Sequence, residues 1–205
     1  MKTVGIFSGS FNPIHIGHLA LANWLCEYEP LDELWFLVTP HNPLKAEETL
    51  MNDRFRMELV EASIKDYDKF KASDFEFALP RPSYTIDTLR ALRAAYPQIT
   101  FILIVGSDSW NNIGRWKESE ALIREFPVWI YPRQGYEAVL SPSCSTVRCV
   151  DAPVIDVSST FIRASIKAGK DVRFFIPEAV RTYLPEIRKS LENGKKNTLS
   201  DREET

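Results

Sequence analysis

The sequence predicts an α/β fold with a doubly wound, mainly parallel sheet, and three observations carry that expectation. Apolar runs of strand length alternate with stretches of helical period along the chain. The runs Leu34–Val38 and Phe101–Val105 are apolar without interruption, as strands covered on both faces require. Chemistry-bearing residues follow the strands: Gly9 the first, Lys45 the second, Asp108 the fourth and Arg133 the fifth. That is the carboxyl edge, where open parallel sheets bind ligands.

Val4-Gly5-Ile6-Phe7 reads as a buried first strand, and Leu19–Leu25 as a helix that ends at Glu29-Pro30. Leu34–Val38 is the second strand. The loop Thr39-Pro40-His41-Asn42-Pro43-Leu44-Lys45 follows it, stiffened by two prolines. A helix over about Asn52–Ile64 carries Phe55, Leu59 and Val60 on one face. Phe70–Phe77 offers one or two short strands. Ser83-Tyr84-Thr85 begins a helix whose free N–H groups Ser or Thr can cap, with Ile86, Leu89, Leu92 and Tyr96 at helical spacing. Phe101–Val105 is the strongest strand and runs into Gly106-Ser107-Asp108. A helix near Glu118–Phe126, a strand Val128–Tyr131, a surface loop Gly135–Ser145 and a last strand Val147–Val150 come next. Ser158-Ser159-Thr160 caps a helix to about Ala168 that Gly169 stops. Pro177 suits the first turn of a final helix through Tyr183. Residues 1–189 are expected to form one domain without repeats, and 190–205 a polar, frayed tail.

Composition excludes several classes. The 205 residues suffice for a core, and 44% apolar content is incompatible with disorder. With 25 basic and 28 acidic side chains the net charge is −3, which makes no general case for nucleic acid or an anionic membrane as partner. An anion site must be built locally. Cys26, Cys144 and Cys149 form neither a CxxC pair nor a zinc spacing, which suits a reducing, cytoplasmic setting. No apolar stretch is long enough to span a bilayer.

The stretch Gly9-Ser10-Phe11-Asn12-Pro13-Ile14-His15-Ile16-Gly17-His18 joins a strand to a helix. Backbone N–H groups and the positive end of a helix dipole converge on such a turn and favour an anion. His15 and His18 can each donate a hydrogen bond to a phosphate oxygen without being permanent cations. The alternatives are turn or capping histidines, or a metal pair, for which His41 is the one further His near in sequence. Ser158, Ser159, Thr160 and Arg163 form a second helix start, with Arg163 one turn along on the same face; they read as a polyphosphate site or as an ordinary cap with a surface arginine. Lys45 is a phosphate clamp or a solvated loop lysine. Asp108 is placed to accept hydrogen bonds from ribose hydroxyls. Trp116 and Trp110 each suit a stacking plate for a flat ring or a core position, and Arg133 pairs with a phosphate or faces solvent.

Together these stretches resemble the nucleotidyltransferase superfamily with a GxFxPxHxGH loop, and within it the nicotinate (or nicotinamide) mononucleotide adenylyltransferases. The resemblance extends to about Leu184. It rests on GSFNPIHIGH at Gly9–His18, PHNPLK at Pro40–Lys45, SYTIDTL at Ser83–Leu89, GSDSWNNIGRWK at Gly106–Lys117, Pro132-Arg133 and SSTFIR at Ser158–Arg163. Asn12 departs from the pattern, where Asp is common; a neutral amide does not block an anion site. The resemblance implies a Rossmann-like fold and transfer of the adenylyl group of ATP to nicotinate mononucleotide in NAD biosynthesis. It implies that Gly9, Ser10, Phe11, His15, His18, Lys45, Ser158, Ser159, Thr160 and Arg163 serve ATP, with His15, His18, Lys45 and Arg163 catalytic. Thr85, Gly106, Asp108, Trp116 and Arg133 would serve the mononucleotide, and Mg²⁺ would arrive on the ATP phosphates without a dedicated carboxylate cage. Rivals are nicotinamide mononucleotide as acceptor, a phosphopantetheine-type adenylyltransferase, which leaves Ser83-Tyr84-Thr85 and Trp116 without a use, and a non-catalytic nucleotide sensor. An aminoacyl-tRNA synthetase shares His15-Ile16-Gly17-His18 but is far longer and carries a Lys-Met-Ser-Lys-Ser motif that this chain lacks. A homo-oligomer stays open.

Overall fold

The computed structural model describes residues 1–40, 50–140 and 146–200, with side chains through Glu192. Six strands pair, β1 (Lys2–Gly9), β2 (Glu33–Val38), β3 (Phe70–Ser73), β4 (Ile99–Gly106), β5 (Val128–Tyr131) and β6 (Val147–Cys149). Every pairing is parallel, and the order across the sheet is β3-β2-β1-β4-β5-β6. The chain therefore winds outward from β1 in one direction and from β4 in the other. The crevice between their carboxyl ends is the switch point where such sheets take ligands.

Alternation along the strands builds two cores. On β4, Phe101, Leu103 and Val105 face one cluster with Ile86, Leu89 and Leu92, while Ile102 and Ile104 face the other with Leu21, Leu25, Leu59 and Ile162. Helices α1 (Ile16–Tyr28), α2 (Asp53–Ile64), α3 (Thr85–Ala95), α4 (Ser107–Trp110), α5 (Ser119–Glu125), α6 (Ser159–Lys167), α7 (Glu178–Arg181) and α8 (Leu184–Ser200) complete the described chain. Helices cover both faces, as a parallel sheet requires. Among the described residues no helix is long and apolar enough to cross a membrane.

Three local expectations need correction, and Phe70–Phe77, read as one or two short strands, resolves to one. Helix α1 begins at Ile16 instead of Leu19, because His15 takes the N-cap in extended conformation. Phe70–Phe77 holds one edge strand, and the chain then turns into a 3₁₀ segment, Phe75–Ala78, that buries the Glu76 carboxylate against hydroxyls. Helix α3 is not capped by Ser or Thr: Tyr84 is its N-cap and Thr85 its first residue, with no side-chain cap. Pro177 opens only the short α7, and the polar stretch after Ser190 begins inside α8, which runs to Ser200.

Leu103, 1% exposed on the central β4, packs into one core. Leu103→Ala is expected to lower unfolding free energy by about 2–5 kcal/mol, the range for a buried leucine cavity, measured by urea denaturation.

Candidate active site

Two joined clefts open at the carboxyl ends of β1, β4 and β5. The larger, about 740 Å³, runs from the Gly9–His18 loop to Arg133 and the start of α6. The smaller, about 240 Å³, is walled by Thr39, Glu76, Ser83–Thr85, Gly106 and Trp116. Phe7–Ser10, Ser109 and Tyr131 line both, so the end of β1 is their common floor. Burial pushes the Tyr131 phenol up to about 12, so it stays protonated.

The loop between β1 and α1 is tightly tethered. Phe11 has a φ of 42°, a left-handed conformation that a residue with a side chain adopts at a cost of roughly 1–3 kcal/mol. Its ring is buried, meeting Phe7 at 5.7 Å and Phe36 at 5.6 Å between centroids. Asn12 Oδ1 accepts from the Met51 N–H at 3.1 Å, and the Asn12 carbonyl accepts from Arg163 Nη1 at 2.9 Å. Ser159 Oγ donates to the Pro13 carbonyl at 2.9 Å. The neutral amide at position 12 thus has a bond to accept.

His15 and His18 stack with ring centroids 3.6 Å apart at the positive end of α1. The His15 backbone N–H donates to His18 Nδ1 at 3.2 Å, so the neutral His18 ring carries its proton on Nε2. Burial first, and the Arg133 charge second, depress His15 to about 3. It is therefore a neutral imidazole near pH 7. Among the described residues its Nδ1 has no hydrogen-bond partner. Gly17 makes room for it, since a Cβ there would stand 3.1 Å from that nitrogen.

Across the cleft, Ser158 caps α6, its Oγ accepting from the Phe161 N–H at 3.1 Å. Thr160 lines the same wall, and Arg163 Nη2 reaches its Oγ1 at 3.4 Å. Two of these side chains thus hold the loop: Ser159 and Arg163 both donate into it.

Gly106 and Thr85 line the smaller cleft with Trp116, which also packs against the core. Trp110 is a core residue whose Nε1 donates to the Val139 carbonyl. Asp108 and Arg133, expected with these groups, stand instead on the larger cleft with His15. Their atoms Oδ1 and Nε are 3.7 Å apart. Both side chains press against Gly106, where a Cβ would come within 2.4 Å of the Asp108 carboxylate and 3.0 Å of Arg133 Cγ. Lys45 and His41 lie outside the described residues. Among the described residues no group of three or more His, Cys, Asp or Glu gathers to hold a metal ion.

Two buried polar residues escaped notice in the sequence. Arg56 is fully buried behind the loop, and Glu76 sits at the smaller cleft with Thr88 donating to it at 2.9 Å. Burial raises the Glu76 carboxyl above its usual range. Arg56 left a signal: it precedes Leu59 and Val60 by three and four positions, so a charge lies within the apolar stripe of α2.

The cytidylyltransferase-like family profile matches residues 6–165. A Bacteroides fragilis protein named "Probable nicotinate-nucleotide adenylyltransferase" is 54% identical over 86% of this chain and 88% of its own length. A Bacteroides thetaiotaomicron protein of the same name is 53% identical over 93% and 95%. A solved structure, the Plasmodium falciparum nicotinic acid mononucleotide adenylyltransferase complexed with NaAD, superposes with a TM-score of 0.72 over 89% of this chain and 96% of that one. At 20% identity that likeness bears on the fold.

The depressed His15 makes acid a specific destabiliser. Between about 6.5 and about 3 the unfolded chain binds a proton at this residue that the folded chain excludes, so stability is lost as pH falls through that window. Urea melts of the wild type and His15→Gln are expected to diverge there, the wild type losing about 1.4 kcal/mol more per pH unit. Parallel curves would return His15 to an ordinary imidazole.

Proposed function

Because the chain belongs to the cytidylyltransferase-like family and groups with relatives named as nicotinate-nucleotide adenylyltransferases, we propose that it transfers the adenylyl group of ATP to nicotinate mononucleotide, releasing pyrophosphate and forming deamido-NAD. The observation that carries this reading is the pair of stacked imidazoles at a helix N-terminus, in a large cleft whose floor continues into a smaller one. A triphosphate in the first and a mononucleotide in the second would bring the acceptor phosphate to the α-phosphorus across Phe7–Ser10.

The acceptor phosphate oxygen is already an anion, so no protein nucleophile is required. It attacks the α-phosphorus, the bond to the bridging oxygen breaks, and pyrophosphate leaves with the electron pair. Catalysis is alignment and charge stabilisation. Gly9, Ser10 and Phe11 contact the nucleotide. His15 and His18 donate to oxygens of the transferring phosphorus. Lys45, Thr160, Arg163 and the N–H groups that begin α6 hold the phosphate tail. The Ser159 hydroxyl is already committed to the loop. Asp108 serves a ribose from the larger cleft, beside Arg133. Thr85, Gly106 and Trp116 receive the pyridine mononucleotide.

Mg²⁺ fits as a passenger on the triphosphate, since the cleft offers separate carboxylates, Asp108 and Asp156, in place of a cage. Those two would meet its water shell, and the ion would supply charge neutralisation on phosphate oxygens.

Pyrophosphate release from ATP with nicotinate mononucleotide, set against nicotinamide mononucleotide, tests the assignment; kcat/KM is expected to favour the acid. His18→Ala is expected to cut kcat by about 10²–10³, the effect of one lost transition-state donor, in a folded protein. Trp116→Ala is expected to raise KM for the mononucleotide with kcat little changed; an unchanged KM would leave Trp116 to the core alone.

A further inference from the structure

Arg56 stands first by size among the fully buried side chains of the described residues. Its guanidinium spends itself mainly on backbone: Nε donates to the Met51 carbonyl at 3.0 Å, Nη1 to the Ser10 carbonyl at 2.5 Å and Nη2 to the Pro40 carbonyl at 3.1 Å. Among the described residues its one carboxylate partner is Asp53 at 2.7 Å, which is part-exposed and shared with Arg81. Burying a guanidinium for a single ion pair is a poor stabiliser, and apolar groups of similar volume often do as well. What this side chain does that an apolar one does not is join three separate segments: the β1–α1 loop, the end of β2 and the start of α2.

The contacts close a ring. Arg56 holds the carbonyls of Ser10 and Met51, and the Met51 N–H donates to the Asn12 side chain. Ser10 and Asn12 flank Phe11, the residue with positive φ. In a trans peptide the carbonyl and the next N–H point oppositely. Fixing the Ser10 carbonyl toward α2 therefore turns the Phe11 N–H to the side away from Arg56.

We propose that Arg56 is a positioning residue for ATP: from behind the loop it clamps Ser10, and with Asn12 and Met51 it holds Phe11 in the conformation that presents the loop backbone to the triphosphate. This rests on the functional reading above, in which the loop grips ATP. Arg56 touches no substrate; its effect passes through the Ser10–Phe11 peptide.

The test compares Arg56→Lys and Arg56→Met with Val60→Ala, a cavity on the buried face of the same helix at a side chain that can make no hydrogen bond to the loop. Calorimetry gives Kd for MgATP, steady-state assays give kcat and both KM values, and urea melts report stability. Both Arg56 variants are expected to bind MgATP at least about ten-fold more weakly and to lose about 10²-fold in kcat, the size of an ångström-scale misplacement. KM for the mononucleotide should stay within about three-fold of wild type, and Val60→Ala should keep wild-type MgATP affinity despite its lost stability. Folded Arg56 variants with wild-type affinity and kcat, or a Val60→Ala that loses as much, would overturn the proposal. Where neither Arg56 variant folds, Asp53→Asn decides: it loosens the guanidinium in place, and unchanged MgATP affinity counts against the clamp. Binding of MgATP needs no acceptor. A wild type that binds MgATP without adenylylating nicotinate mononucleotide thus overturns the functional reading and leaves the Arg56 comparison intact.

Discussion

The pairing of β1 with β4 is the constraint on which the rest depends. With β2 and β3 on one side and β5 and β6 on the other, the chain leaves β1 and β4 toward opposite faces of the sheet, α1 covering one and α4 leading to the other. The gap between the two carboxyl ends is the cleft. Both strands end in glycine, Gly9 and Gly106, and at each a Cβ would collide with a group the site uses: the Phe11 ring at 3.1 Å and the Asp108 carboxylate at 2.4 Å. Close approach here is a matter of space, since neither glycine has a positive φ.

That geometry determines the kind of anion site the protein can have. Fixed positive charge would be expensive to bury behind the loop, and the chain avoids it there with neutral donors. His15 is held neutral by burial and by the nearby Arg133, and His18 has its tautomer set by the His15 backbone. Together with the N-terminus of α1 they supply oriented dipoles that need little reorganisation as charge develops. The exception is Arg56, a buried cation facing carbonyls and one carboxylate, where the charge is neutralised by structure and not offered to a ligand.

The strands were legible because parallel strands buried on both faces leave uninterrupted apolar runs, and Phe101–Val105 is the clearest case. The Gly9–His18 loop and the α6 start were legible from spacing. What escaped was set by the third dimension. Histidine is an uncommon N-cap, so the true start of α1 at His15 left no propensity signal. Asp108 and Arg133 follow strands that border both clefts, and their place on the larger one is a matter of side-chain packing that sequence does not carry. Arg56 was hidden by its own helix, since its partners Ser10 and Pro40 lie 46 and 16 residues away.

Under the proposed function, the Asp108–Arg133 pair would let the larger cleft serve both a polyphosphate and a ribose. At 3.7 Å the two groups are beyond hydrogen-bond length and both are substantially exposed, so charge alone holds them and weakly. Arg163, by contrast, is held in place by the 2.9 Å bond from its Nη1 to the Asn12 carbonyl. Among the described residues, a polyphosphate bound as proposed would meet a weakly held cation, Arg133, and a fixed one, Arg163. Drawing Arg133 toward phosphate costs little, and it leaves the Asp108 carboxylate, anchored at the first turn of α4, with its lone pairs turned to hydroxyl donors. One weak contact would thus let the proposed site accept both parts of a nucleotide, and a stronger ion pair in the same place would oppose it.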